Sequence, residues 1–209
     1  MNPHRPEPGA ELHEGEATVP RLAATVIVLR GAEHTLEVLL AQRTPKARFM
    51  GGAWVFPGGA VSAEDGEGEP ALRAAAAREL REEAGITLAD PESLILFSRW
   101  ITPAEVKIRY DTWFFLACRP NGAEPVVDGE EVVDARWYTP PDALRAAEAD
   151  EILLVFPTIK HLEQLSAFAS AAELLDYAGE RTVRPVQPRV IGSGEQVRIV
   201  LPDDPGYNR

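Results

Sequence analysis

Glu79, Glu82 and Glu83 lie in the run Arg78-Glu79-Leu80-Arg81-Glu82-Glu83-Ala84-Gly85-Ile86, which closes the alanine-rich stretch Ala71–Ala84. That stretch reads as a helix. Positions i, i+3 and i+4 of a helix share one face, so the three carboxylates are forced within a few ångströms of one another. Like charges at this spacing cost roughly 0.2–0.5 kcal/mol per pair, and the arrangement needs either solvent or a cation to hold it. As a purely solvated face it would be ordinary surface. A hard divalent ion would instead draw on carboxylate and carbonyl oxygens and leave positions open for water and phosphate. Arg78 stands beside the cluster and can hold carboxylates bidentately. Gly85 suits the left-handed residue that ends a helix. Upstream, in Phe56-Pro57-Gly58-Gly59, the two glycines let the backbone pass close to a ligand.

The run resembles the second half of the Nudix box, in which Arg-Glu-aliphatic-x-Glu-Glu-x-Gly-aliphatic follows a glycine-rich strand end. The resemblance implies Glu79, Glu82 and Glu83 as metal ligands, the Gly59 carbonyl as a fourth, and Mg²⁺ or Mn²⁺ as the ion. The carboxylate that serves as base varies among such enzymes. One departure stands out. Counting six positions on from Gly59 to the first acidic position of the box lands on Asp65, whereas counting eight back from Arg78 lands on Pro70. Glu64-Asp65-Gly66-Glu67-Gly68-Glu69 therefore reads as an insertion of about five residues ahead of the helix, with Pro70 in its first turn. Asp65 is the candidate for the first acidic position.

A chain of 209 residues with ordinary apolar content can bury one sizeable core. Met1–Pro20, rich in Pro, Gly, Glu and His, reads as a mobile tail, and residues 21–209 as a single domain with a C-terminal helical extension. A formal charge of −12 argues against nucleic acid or an anionic membrane as partners. The lone Cys118 has no internal disulfide partner, and no apolar run reaches the roughly 18 residues that span a bilayer. With no leader peptide legible, the expected setting is cytoplasmic.

Along the chain, Leu22–Leu29 and Leu36–Ala41 read as strands joined by the turn-like Gly31-Ala32-Glu33-His34, and Trp54–Phe56 as a short strand ending at the glycine pair. Ser93–Ile101, Tyr110–Cys118 and Val132–Tyr138 read as further strands, with Val197–Leu201 as a last edge strand. Pro140–Ala149 and Pro157–Ala178 read as helices. Strands on both sides of a central helix predict an α/β fold, a mixed β-sheet sandwiched between α-helices. That is the architecture the Nudix resemblance implies. Pro157–Ala178 has apolar positions able either to cover the core or to pair two subunits as a homodimer.

From Val38 to Ala63 the sequence holds no carboxylate, yet Arg43, Lys46 and Arg48 fall within six positions, a cationic island in an acidic protein. Alone it would read as a solubilising loop; ahead of a metal site it suits a diphosphate. Leu39-Leu40-Ala41-Gln42-Arg43-Thr44, Arg48, Gly52 and Phe56-Pro57-Gly58-Gly59 resemble the extra motif of the coenzyme A diphosphatases, although Met50 stands where bacterial members often carry histidine. Phe49 to Gly59, Trp100-Ile101-Thr102-Pro103 and Arg109-Tyr110-Asp111-Thr112-Trp113-Phe114-Phe115 are similar to the branch found in animal peroxisomes. Arg109 is a candidate phosphate contact, while Trp113 and Phe115 read as core. Glu131, rather than Glu130, is the candidate for the distant glutamate that approaches the metal in many Nudix enzymes. The four histidines lack ligand spacing for zinc. Gly66-x-Gly68-x-x-Ala71 follows no apolar strand and is no dinucleotide fingerprint, and Gly192-Ser193-Gly194 lacks the spacing of a nucleophile elbow. The expected activity is metal-assisted hydrolysis of a diphosphate linkage in a nucleoside diphosphate derivative, with coenzyme A or acyl-coenzyme A as substrate. The alternatives are ADP-ribose, dinucleotides or nucleotide sugars, and a non-catalytic ligand-binding module on the same fold.

Overall fold

The computed structural model describes residues 12, 16–31, 35–47, 50–120, 122–192 and 196–207. In chain order the strands and helices are β1 (Arg21–Arg30), β2 (Glu37–Arg43), β3 (Ala53–Val55), β4 (Gly58–Ala60), α1 (Gly68–Ala84), β5 (Ile95–Ile101), β6 (Tyr110–Cys118), β7 (Val132–Tyr138), α2 (Pro140–Glu148), β8 (Leu153–Leu154), α3 (Phe156–Leu165), α4 (Ala171–Glu180), β9 (Pro185–Val186), β10 (Arg189–Ile191) and β11 (Arg198–Val200).

The layering follows from β1. Its side chains alternate, as the two-residue period of a strand requires: Ala24, Val26 and Val28 join one apolar cluster, Ile27 and Leu29 the other. A strand buried on both faces needs cover on both. On one side α1 supplies Leu72, Ala75, Ala76, Leu80 and Ala84. On the other, α2, α3 and α4 supply Ala143, Leu162, Leu165, Leu174 and Ala178. The result is the expected α/β sandwich around a mixed sheet. β1 runs parallel to β6 from Arg21↔Tyr110 to Leu29↔Cys118. It keeps only Leu29↔Val38 and Arg30↔Glu37 with β2 and pairs antiparallel with β4 at its other end. β2 then turns to β7 and β3, β5 flanks β6 antiparallel, and β8 and β9 form the parallel edges.

Several elements differ from the sequence reading. Trp54–Phe56 does not run to the glycine pair: β3 ends at Val55, and Gly58–Ala60 is itself a strand because its backbone pairs with Ala23–Thr25. The sheet supplies here what glycine's propensity lacks. Pro157–Ala178 is two helices rather than one. Ser166 Oγ donates back to the Leu162 carbonyl at 2.7 Å, and Ser170 caps α4 by accepting the Glu173 N–H at 3.2 Å while Glu173 accepts that of Ala169 at 2.8 Å. This serine–glutamate pair restarts the helix in a new direction. Both helices bury their apolar faces on the core, so these residues cover it. Val197–Leu201 holds β11, which pairs with β10 in a separate two-stranded sheet instead of extending the main one. No described helix is long and apolar enough to cross a membrane.

The turn residues 32–34, Arg48, Phe49, Ser193 and Gly194, and most of Met1–Pro20 lie outside the described residues. Of the described part of that tail, Leu12 bridges to Val106, Thr18 Oγ1 donates to the Lys107 carbonyl at 3.0 Å, and the Thr18 carbonyl accepts from Arg109. Cys118 is exposed and unpaired.

Candidate functional site

The periodicity of α1 decides which glutamate goes inward. Leu72, Ala76, Leu80 and Ala84 form its core-facing stripe, and Glu83, three residues after Leu80, falls on it. Glu83 is therefore only 4% exposed, the one carboxylate among the buried residues of this helix. Its Oε2 accepts the Gly58 N–H at 2.9 Å, which ties the end of α1 to the start of β4. Burial pushes its pKa up to about 7; the Gly58 hydrogen bond opposes this, the Glu79 and Glu131 charges add to it, and Arg43 opposes it. Glu79 is likewise pushed up by burial, against the pull of Arg78. Glu82 points away and is half-exposed, paired with Arg78 at 3.0 Å and Arg81 at 3.3 Å.

The glycine pair is required by close approach. A Cβ on Gly58 would lie 2.5 Å from the Ala24 carbonyl oxygen and from Thr25 Oγ1, and one on Gly59 would lie 2.4 Å from Glu79 Oε1. At Gly58 the neighbours include backbone and only a bare backbone fits; at Gly59 a methyl would have to displace the Glu79 carboxylate. Gly85 adopts the expected left-handed conformation at φ 65° and donates to the Arg81 carbonyl, ending α1 directly after the cluster.

Asp65 resolves the interrupted motif. It is not a member of the cavity wall but the anchor of Arg78: Nε donates to Oδ1 at 2.9 Å and Nη2 to Oδ2 at 3.0 Å. The guanidinium also donates to Glu79 at 2.7 Å, to Glu82 at 3.0 Å and to the Ala60 carbonyl at 3.2 Å. Asp65 closes a short 3₁₀ turn, Ala63–Asp65, by accepting from the Ser62 N–H and hydroxyl. The Arg78 hydrogen bonds hold its pKa down to about 2. The count from Gly59 is thus the one the fold keeps. The extra residues are absorbed at Gly66 and Gly68, both at positive φ, and in an earlier start of α1, at Gly68 rather than Ala71.

These groups border a cavity of about 370 Å³ whose walls include Arg43, Gly58, Gly59, Glu79, Glu83 and Glu131. Arg43 Nε is buried there without a hydrogen-bond partner. A buried donor with no acceptor is costly, and an anion entering the cavity would supply one. Glu131 arrives from the turn before β7, with its N–H held by Asp128 at 2.9 Å. Sequence reading missed Thr25, Tyr110, Thr112 and Thr158, which line the same cavity. Thr25 and Thr158 carry no motif, Tyr110 and Thr112 lie in the run from Arg109 to Phe115 without standing out from it, and only the pairing of β1 with β6 and the start of α3 bring the four together. Two expected substrate contacts are elsewhere. Lys46 is exposed and outside the cavity wall. Arg109 is buried and its Nε and Nη1 donate to the carbonyls of Thr102 and Thr18, so it fastens the N-terminal segment instead.

Among the described residues, no three carboxylate, imidazole or thiol groups converge into a closed metal cage. Open oxygen donors on a cavity wall fit an ion such as Mg²⁺, which is held by one or two carboxylates and keeps its other positions for water and phosphate. The nearby Ser98 and His161 are no nucleophile–base pair for this cavity. His161 Nδ1–H donates to the Pro157 carbonyl at 2.7 Å, so Nε2 accepts the Ser98 hydroxyl at 2.5 Å, and both residues are sealed in the core.

Comparison with known proteins places this geometry. The NUDIX domain family model matches residues 19–156. A putative nudix hydrolase 7 of Caenorhabditis elegans is 29% identical over an alignment that covers 70% of this chain and 60% of that protein. An acyl-coenzyme A diphosphatase of Xenopus laevis is 25% identical over an alignment that covers 82% of this chain and 71% of that one. The crystal structure of a NUDIX hydrolase from Alicyclobacillus acidocaldarius superposes with a TM-score of 0.68 at 29% identity, over 76% of this chain and 96% of that one. The chain thus spans about three-fifths of the length of the nematode relative.

Proposed function

The chain belongs to the Nudix family, and from that premise we propose that it is a divalent-metal-dependent diphosphatase whose substrate is coenzyme A or an acyl derivative. The observation that carries the reaction type is the opposition across one cavity of Glu79 and Glu83, both pushed towards protonation, and Arg43 with its unpartnered Nε. Carboxylates held so are short of a cation, and a guanidinium whose Nε is buried and unpartnered is short of an anion. A metal–diphosphate complex answers both.

In this reading Glu79, Glu82, Glu83 and the Gly59 carbonyl hold Mg²⁺ or Mn²⁺, and Glu82 leaves its arginine partners to do so. When bound, the ion neutralises charge on the diphosphate and lowers the pKa of an attacking water. Arg43 donates to a phosphate oxygen and fixes the linkage over the glycine strand. Glu131, free on its turn, orients the water and accepts its proton as the new P–O bond forms. The bridging P–O bond breaks, and two monophosphates leave. Arg78 touches neither substrate nor water: it positions Glu79 through its clamp on Asp65.

Supporting coenzyme A are the motif around Arg43 and Arg48 and the names of the relatives, which act on acyl-coenzyme A or are called nudix hydrolases. A single domain, residues 21–209, acting on a small molecule without nucleic acid or membrane, completes the reading; a homodimer is compatible with it. The test is a panel of coenzyme A, dephospho-coenzyme A, ADP-ribose, dinucleotides and nucleotide sugars with and without chelator, with products identified. The expected products from coenzyme A are 3′,5′-ADP and 4′-phosphopantetheine, and Arg48→Ala is expected to raise KM for coenzyme A more than for dephospho-coenzyme A. A higher kcat/KM for ADP-ribose or a dinucleotide than for every coenzyme A compound overturns the substrate class. Turnover unaffected by chelator overturns the metal.

A further inference from the structure

A second cavity, of about 160 Å³, adjoins the first and shares four wall residues with it: Met50, Tyr110, Thr112 and Pro157. Its far wall is built from outside the family-matched segment, by Pro188 and Val190 beside and in β10 and by Ile199 in β11. That small sheet is seated in place rather than loosely apposed. The Val190 N–H donates to Glu105 at 3.3 Å, the Tyr207 hydroxyl donates to the Gln187 carbonyl at 2.7 Å, and Ile199 is 7% exposed. Trp100, Ile101, Thr102, Pro103, Val106 and Phe156 complete the lining.

The chemistry of this chamber is one-sided. Neither a carboxylate nor a cationic side chain is among its described lining residues, in contrast to the cavity next door. A group that enters must be apolar, because a hydroxyl or amide placed there loses its water with few partners in exchange. Its size is close to that of an apolar protein cavity of about 150 Å³ that admits benzene, so it takes a compact group of about six carbons rather than a long chain. Because it shares Met50, Tyr110, Thr112 and Pro157 with the diphosphate cavity, a group lodged there is one attached close to the phosphate.

We propose that this chamber binds a compact branched aliphatic group joined to the diphosphate through one methylene, and so selects the substrate. This rests on the diphosphatase reading above and sharpens its substrate class. ADP-ribose, dinucleotides and nucleotide sugars carry a hydroxylated sugar at each end of the diphosphate, which the chamber rejects. Coenzyme A carries a sugar at one end, and at the other its pantetheine arm begins with a methylene and a carbon bearing two methyl groups. The chamber receives that dimethyl carbon, the hydroxyl and amide that follow it on the arm lying outside, and β10 and β11 make this possible.

The test uses probes that bind without being cleaved: the neopentyl and methyl monoesters of methylenediphosphonate, titrated calorimetrically into the 209-residue chain with Mg²⁺. The neopentyl ester is expected to bind the wild type at least about tenfold more tightly, from the added apolar surface buried. Ile199→Phe, which fills the chamber, is expected to bring the ratio of the two Kd values to about one. Val190→Phe alters the same wall and gives the same readout if the first variant does not fold. Equal Kd values in the wild type overturn the proposal, as does a neopentyl preference untouched by a folded filling variant. Coenzyme A hydrolysis without a neopentyl preference removes the chamber and leaves the substrate reading. A neopentyl preference lost on filling, in an enzyme that does not cleave coenzyme A, supports the chamber and removes that reading.

Discussion

Glu83→Gln separates the electrostatic role of this residue from its packing. The carboxyl is nearly sealed on the inner stripe of α1, and burial lifts its pKa from 4.5 to about 7. A group whose folded pKa lies above its unfolded value favours folding below the unfolded value, and that contribution is lost as pH rises through the folded one. At pH 8, without metal, Glu83 therefore costs stability. A shift from 4.5 to about 7 corresponds to about 3 kcal/mol. Glutamine keeps the volume and an oxygen to accept the Gly58 N–H, so most of the packing survives. Allowing for relaxation and water entry, the variant should gain about 2 kcal/mol, or about 4–8 °C in Tm for a chain of this size. The assay is thermal denaturation in chelator from pH 4 to 8, repeated with Mg²⁺. The gain should be largest at pH 8 and vanish near pH 4.5, Mg²⁺ should raise the Tm of wild type more than that of the variant, and diphosphatase turnover should fall by about 100-fold or more. A gain of the same size at pH 5 and pH 8 would refute the reasoning, because titration could not then be its source. Full activity in the variant would refute the assignment of Glu83.

Three other outcomes are expected. Gly59→Ala, whose new methyl would collide with the Glu79 carboxylate, should lower turnover at least tenfold with a change in Tm of only a few degrees; unchanged kinetics would show that Glu79 moves freely aside. Arg78→Gln strands Asp65, which is nearly buried, and should cost about 3–5 kcal/mol, whereas exposed Arg145→Gln should change stability by less than about 1 kcal/mol in the same urea titrations. His161, which burial pushes down to about 4, contributes stability above pH 6.5 that is lost as pH falls through the window to 4, up to about 3 kcal/mol; His161→Gln should flatten that part of the stability profile, and an unaltered profile would locate the acid sensitivity elsewhere.

What the sequence yields and what it withholds divide along a physical line. Features carried by one segment are legible. Tyr110–Cys118 and Val132–Tyr138 alternate or run apolar over a full strand length, and their ends match the structure to the residue. The acidic face of α1 and the left-handed Gly85 are likewise local. Even the break between α3 and α4 was written in Ser170 and Glu173 as a helix start, though the apolar period running through it hid the signal. Features that depend on two distant segments are not legible. Gly58–Ala60 is a strand only because β1 lies beside it, and Arg109 turns from a phosphate contact into a tie for Thr18 only once the chain has closed.

The same line runs through the carboxylates. Three glutamates read from spacing alone are equivalent, yet the fold makes them unlike: Glu83 buried on Gly58, Glu79 clamped by Arg78 against Gly59, and Glu82 half-exposed. Their difference comes from where the apolar stripe of α1 runs. Leu80 fixes the rotation of the helix against β1, and that rotation carries Glu83 inward and leaves Glu82 outside. On the proposed reading, in which an ion and a diphosphate meet in this cavity, such inequality has a use. Carboxylates all turned inward would be too repulsive to fold without the ion, and all turned outward they would hold it in bulk water, away from Arg43. The core residue Leu80 thus positions the charge as much as it stabilises the fold. Leu80→Ala should lower stability by about 2–5 kcal/mol. It should also lower the raised pKa of Glu83, measurable by carboxyl NMR titration of whatever fraction remains folded.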